Sequence, residues 1–201
     1  MGEVKCPVDV PSAVAAPRPI LKRLEALGTG SLAWVEAKPL VSELRAGGDV
    51  VATLAWAKRW SSLATAEAAD GRWTLKRTGF LRPQITVRAS DSDVNFAIVS
   101  MGSGGDGVLD FANGRSYQFR GSGVRHPGLT VSDARGRTIL TLTLDPRGEP
   151  TSASVEVVRE AFGSDQPLAL LAILGWYLPL LMSRYDYESG DLTGALVATW
   201  S

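Results

Sequence analysis

One uncharged run, Pro167 to Met182 (PLALLAILGWYLPLLM), constrains the fold of this chain more than any other feature. A helix over these residues is apolar on every side, so it needs apolar surroundings on every side. Either a bilayer or an enclosing wall of protein supplies them. Sixteen helical residues measure about 24 Å, short of the roughly 30 Å hydrocarbon core that a spanning helix must cross. The run also contains Pro179 and is followed by the polar segment RYDYESGD. Ser164 or Asp165 offers an N-cap, and Pro167 suits a first helical turn. The expectation is a buried helix over 165–184, with Leu170, Leu171, Leu174, Trp176, Leu178 and Leu181 in the core.

The residues before the run supply a wall. Between about residues 30 and 160, turn signals recur at the spacing of all-β sandwiches and barrels. They are Lys38-Pro39, Gly47-Gly48, Arg59 to Ser61, Asp70-Gly71, Gly79 to Pro83, Asp91 to Asp93, Gly102 to Gly107, Asn113-Gly114, Gly121 to Pro127, Ala134 to Gly136 and Asp145 to Pro150. Asp70-Gly71 and Asn113-Gly114 read as type I′ hairpin turns, which need positive φ at both central residues. Between turns, apolar and polar residues alternate: Leu140, Leu142 and Leu144 share one face, Thr141 and Thr143 the other. Trp73 with Leu75, Ile85 with Val87, Tyr117 with Phe119 and Val155 with Val157 repeat the pattern. About twelve short strands in one domain must curl or close, and a closed barrel has an interior that a helix about 10 Å across can fill. The fold expected is mainly β: a closed antiparallel barrel of about twelve strands enclosing a hydrophobic near-C-terminal α-helix.

This divides the chain into a flexible arm (1–18), a short helix (19–28), one barrel domain with its central helix (29–185) and a C-terminal tail (186–201). The short helix rests on Ile20, Leu21, Leu24 and Leu27, closed by Gly28. Twenty-one basic residues balance 21 acidic ones, so no global field favours nucleic acid. Cys6 alone cannot form an internal disulfide or a thiolate zinc site, and His126 alone cannot form a His-rich metal site. The first residues lack the apolar core of a secretory signal. A cytoplasmic protein, not integral to a membrane, is expected.

Roughly twelve antiparallel strands followed by the apolar helix in GSDQPLALLAILGWYLPLLMSRYD resemble the tubby C-terminal-like superfamily, which includes tubby proteins, plant LURP-one-related proteins and phospholipid scramblases. The resemblance covers residues from about 30 to 185 and rests on element order. It implies a twelve-stranded barrel closed around a hydrophobic helix. Tubby proteins bind phosphoinositides in a basic pocket; no motif here matches it, so the resemblance assigns no binding residue.

Chemical motifs are sparse. His126, in GVRHPGL, has the titration range of a general base but no positioned partner, and reads as a turn residue. Ser100 to Gly107 is glycine-rich yet lacks the GxxxxGK[ST] signature and a following helix, so it reads as a hairpin loop before a strand at Val108 to Phe111. Asp70, Asp91, Asp93, Asp106, Asp133 and Asp145 read as turn formers. Lys58 and Arg59 lie beside Trp56 and Trp60, while Lys76, Arg77, Arg82 and Arg88 fall on or between two neighbouring strands. Those four are the candidate anion- or lipid-binding group, through charge-assisted hydrogen bonds; the competing reading is a solvated edge whose charges deter aggregation. Alternation puts Lys76 and Arg77 on opposite faces. Trp34, Trp56, Trp60, Trp73, Trp176 and Trp200 read as core and rim residues, with Trp176 contacting the barrel lining. The function expected is a non-enzymatic binding domain that engages phospholipid head groups or a protein through its outer surface, with no cofactor. The alternative is a lipocalin-like carrier of small hydrophobic ligands, which requires a hollow barrel.

Overall fold

The computed structural model describes residues 21–24, 31–79, 82–102, 106–121, 127–145, 151–161 and 165–188. Twelve strands come first: β1 (Leu32–Lys38), β2 (Val41–Ala46), β3 (Asp49–Trp56), β4 (Ala64–Ala68), β5 (Gly71–Thr78), β6 (Gln84–Ala89), β7 (Asn95–Met101), β8 (Gly107–Phe111), β9 (Ser116–Gly121), β10 (Gly128–Asp133), β11 (Thr138–Leu144) and β12 (Ser152–Val157). A 3₁₀ turn at Arg159–Ala161 leads towards helix α1, Leu168–Glu188. Each strand pairs antiparallel with its sequence neighbours, and β1 closes the ring on β12 through pairs such as Leu32↔Val155. Closure leaves no unpaired strand edge among the described residues.

Each of the eleven anticipated turns overlaps a connection between consecutive strands, with Lys38, Gly71, Gly107 and Gly121 taken into the strand ends. The two expected type I′ turns are built differently. At β4–β5 the loop is Ala69-Asp70, with Ala68 paired to Gly71, and neither loop residue has positive φ. Gly71 opens β5 because the Trp73 ring covers it: a Cβ there would lie 2.7 Å from Trp73 Cζ2. At β8–β9 only Gly114 has positive φ, 85°. Its N–H donates to the Phe111 carbonyl at 2.9 Å, and the Phe111 N–H donates to the Arg115 carbonyl at 2.9 Å. This is a three-residue loop closed by a left-handed glycine. Asp133 to Arg137 repeats it around Gly136. Side-chain oxygens hold both loops: Asn113 accepts from the Arg115 N–H, and Asp133 from those of Arg135 and Arg137.

The alternating apolar residues face inward, including Leu75, Ile85, Val87, Phe119, Leu140 and Leu142, all fully buried. α1 runs along the barrel axis, and residues 168–179 are buried without interruption. Leu170, Leu171, Leu174, Trp176, Leu178 and Leu181 are each at most 4 % exposed. The helix lies so close to β11 that a Cβ on Gly175 would sit 2.6 Å from Leu142 Cδ1. α1 starts at Leu168 rather than 165, because the Pro167 carbonyl accepts its first hydrogen bond, from the Leu171 N–H at 2.9 Å. Pro167 therefore occupies the cap position, and Asp165 is engaged elsewhere. Of the segment expected as a short helix, residues 21–24 are described; Leu24 is buried in the core, and Lys22 pairs with Asp49 at 2.7 Å. The arm 1–18 and residues 189–201 lie outside the described residues. Among the described residues no helix is long and apolar enough to cross a membrane.

Candidate functional site at the mouth of the barrel

Antiparallel order throughout sends the connections after even-numbered strands to one end of the barrel and those after odd-numbered strands to the other. α1 starts at the even end and leaves at the odd end. At its start, Arg115 of the β8–β9 turn forms an ion pair with Asp165 and donates to the Asp165 carbonyl at 2.6 Å. Beside it, the Tyr117 hydroxyl donates to Gln166 Oε1 at 2.5 Å. Burial of Tyr117 pushes its phenol pKa up, although Arg115 opposes this. Asp165 in turn raises the pKa of Arg115, by hydrogen bonding and charge.

At the odd end the β3–β4 loop receives the helix. The Tyr177 hydroxyl donates to the Ser62 carbonyl at 2.6 Å, and Arg184 Nη1 donates to the Arg59 carbonyl at 3.2 Å. Between helix and loop opens a cavity of about 380 Å³. Its walls are Glu36 and Pro39 to Ser42 from β1, β2 and their turn, Trp56, Arg59 and Trp60 from β3 and its loop, Thr151 before β12, and Trp176, Leu180, Ser183 and Arg184 from α1. Trp176 stacks on Trp34 with ring centroids 6.0 Å apart, and Trp56 on Tyr177 at 4.9 Å. The Arg184 guanidinium lies over Trp56, 3.9 Å from the ring centroid. Arg59 lies 5.5 Å from the Trp60 centroid.

Three features set this mouth apart. The indole N–H groups of Trp56 and Trp176, and that of Trp34, which stacks on Trp176 but is off the cavity wall, are buried without a hydrogen-bond partner among the described residues, whereas buried donors in native proteins are almost always paired. Neither Glu36 nor Arg59 has an ion-pair partner among the described residues. Leu40, on the wall, has φ 68°, a left-handed conformation that costs an L-residue about 1–2 kcal/mol. The Trp56 N–H bonded to its carbonyl at 2.9 Å holds it there.

The four basic residues singled out in the sequence do not form one site. Lys76 and Arg88 are exposed on the outer face of β5 and β6, opposite Thr86 and Thr74 respectively, which makes them diagonal neighbours. Arg88 donates to Asn95 Oδ1 at 2.9 Å. Arg77 shares the inward parity of Trp73 and Leu75 and pairs with Ile85, so it lies across the sheet from Lys76. Arg82 is exposed in the β5–β6 turn, at the odd end with the cavity. Of the tryptophans, Trp34, Trp56, Trp73 and Trp176 are buried, whereas Trp60 is 60 % exposed. Cys6, Phe80, His126 and Trp200 lie outside the described residues. Arg184 had no local motif, although Trp176, Leu180 and Arg184 recur every four residues along one helix face. The axis that a lipocalin-like carrier would need hollow is occupied by α1; the cavity sits at the rim instead. Among the described residues, no three His, Cys, Asp or Glu side chains gather to hold a metal ion.

No protein-family model, no curated protein and no solved structure matches this chain. The likeness to tubby-like barrels therefore rests on element order.

Proposed function

We propose that this chain is a non-enzymatic, tubby-like binding barrel that attaches peripherally to anionic phospholipid surfaces through its helix-exit end. The observation that carries this reading is Trp60, 60 % exposed, with the Arg59 guanidinium beside its ring and Lys58-Arg59 preceding it in sequence. An indole prefers the zone between hydrocarbon and water, and neighbouring cations gain about 1 kcal/mol each near an anionic leaflet. Arg82 occupies the next turn along the same rim. Lys76 and Arg88 add charge to the outer face of β5 and β6. The order of twelve strands and one axial helix supports the same reading.

Co-sedimentation with vesicles of phosphatidylcholine, with and without phosphatidylserine, tests it. Binding is expected only with the anionic lipid, to fall steeply with salt, and to be lost in W60A and weakened in R82A. Equal sedimentation with both vesicle types, or full binding by these variants, sinks the proposal.

A further inference from the structure

Six apolar residues line the cavity at the helix-exit end: Pro39, Leu40, Val41, Trp56, Trp176 and Leu180. Leu40, Val41 and Leu180 are only half-buried, so an apolar wall stands open among the described residues. The wall is preformed, because the Trp56 N–H bonded to the Leu40 carbonyl at 2.9 Å fixes the turn that carries it. A preformed surface lowers the ordering cost of whatever docks on it. The charge around the mouth is mostly positive. Arg59 and Arg184 are on the wall with one carboxylate, Glu36, and Lys58 and Arg82 are exposed in turns at the same end.

The sequence that follows α1 has the complementary chemistry. Residues 185–201, YDYESGDLTGALVATWS, carry Asp186, Glu188 and Asp191 and no Lys or Arg, and Gly194 to Trp200 are uncharged and largely apolar. This segment is also within reach. α1 ends at Glu188, one helical turn beyond Arg184 of the cavity wall. Residues 189–193 can then extend at most about 17 Å, and Gly190 stands where a glycine cap turns a chain back from a helix.

We propose that Gly194 to Trp200 fold back and dock in the cavity of their own chain, with Leu196, Val197 and Trp200 against Leu40, Val41 and Leu180 and with Asp191 facing Arg59. The apolar run leaves water, and the acidic stretch before it meets a basic rim. This goes beyond membrane attachment and does not rest on it. Docking needs no lipid, so failure of vesicle binding leaves this inference intact, and failure of docking leaves vesicle binding intact.

The test is NMR relaxation on the full chain in lipid-free solution. Backbone order parameters of residues 194–200 are expected near 0.85, as for a rigid backbone, and not below 0.6, the range of an unattached segment. Nuclear Overhauser contacts are expected from the Trp200 ring to the methyl groups of Leu40 and Leu180. L196D/V197D changes the docking segment alone; it should drop the order parameters below 0.6 and abolish those contacts. R59E, at an exposed residue, should shift the order parameters in the same direction by repelling Asp191. The proposal is overturned by values below 0.6 in the parent chain, by contacts to another face of the barrel, or by an L196D/V197D segment as rigid as the parent's. Order parameters unchanged in R59E would overturn the contact between Asp191 and Arg59. Contacts between labelled and unlabelled chains in a mixed sample would place the segment in a second copy and overturn docking within one chain.

Discussion

The two ends of the barrel treat the same helix in opposite ways. At its start, Arg115, Tyr117, Asp165 and Gln166 place donor against acceptor, and Asp133 spends both carboxylate oxygens on its own turn and on Arg137. Around its exit half, three buried indole N–H groups, those of Trp56, Trp176 and Trp34 stacked on it, have no partner among the described residues, a leucine is held left-handed, and a cavity separates helix from loop. A satisfied end is accounted for by folding alone. Unsatisfied donors and backbone strain cost free energy, and features of that kind concentrate where a protein binds something. The barrel is thus latched at one end and open at the other.

The largest effects should separate the two ends by packing. L171A removes a fully buried side chain from the enclosed length of α1 and should cost about 2–5 kcal/mol, since the surrounding wall cannot collapse into the space. L180A, at the half-buried cavity wall, should cost well under half as much. Equal losses in urea unfolding would erase the contrast between ends. Next comes G175V: the helix touches β11 there, and the added branches meet the buried Leu142. Overpacking of this kind costs about 1–3 kcal/mol, and an unchanged midpoint would mean that the helix is free to move away from β11. Smaller again is L40G. Relief of the left-handed strain should offset the loss of a half-buried side chain, leaving stability unchanged or up to about 1 kcal/mol higher. A loss above 1 kcal/mol would show that Leu40 is held by packing and is not strained.

The barrel was legible in the sequence because its determinants are local. Turn residues punctuate each hairpin, alternation marks each inward face, and an all-apolar helix must be enclosed. The turn types were less legible. Asp70-Gly71 and Asn113-Gly114 are the same signal in sequence, yet Gly71 is small to admit Trp73, while Gly114 supplies a left-handed φ. The cavity was legible only in part. Lys58 and Arg59 stood out beside two tryptophans, but Arg184 joins Trp56 across 128 positions of chain, and no local pattern encodes such a meeting. The basic strand pair failed as one cluster for the reason that makes strands readable: successive residues face opposite ways.

The smallest expected effect concerns pH at the latched end. Burial of the Asp133 carboxyl pushes its pKa up, but the N–H groups of Arg137 and Arg135 and the Arg137 guanidinium outweigh this and hold it below the ordinary carboxylate value of 3.8. A group depressed in the folded state contributes stability that is present above its unfolded pKa and is lost as pH falls through the folded one. Asp133 therefore stabilises the β10–β11 turn at neutral pH and ceases to do so in acid. Tyr117 has the opposite sign. Its pKa is raised above 10.0 by burial, so its contribution is complete below that value and is lost as pH rises through the folded pKa. Thermal melts of the parent chain, D133N and Y117F between pH 2 and 11 separate the two. The gap between parent and D133N should close below about pH 4, and Y117F should resist the alkaline fall in Tm that the parent shows. A gap to D133N that stays constant down to pH 2 would show that ionisation of Asp133 contributes nothing to stability at this turn.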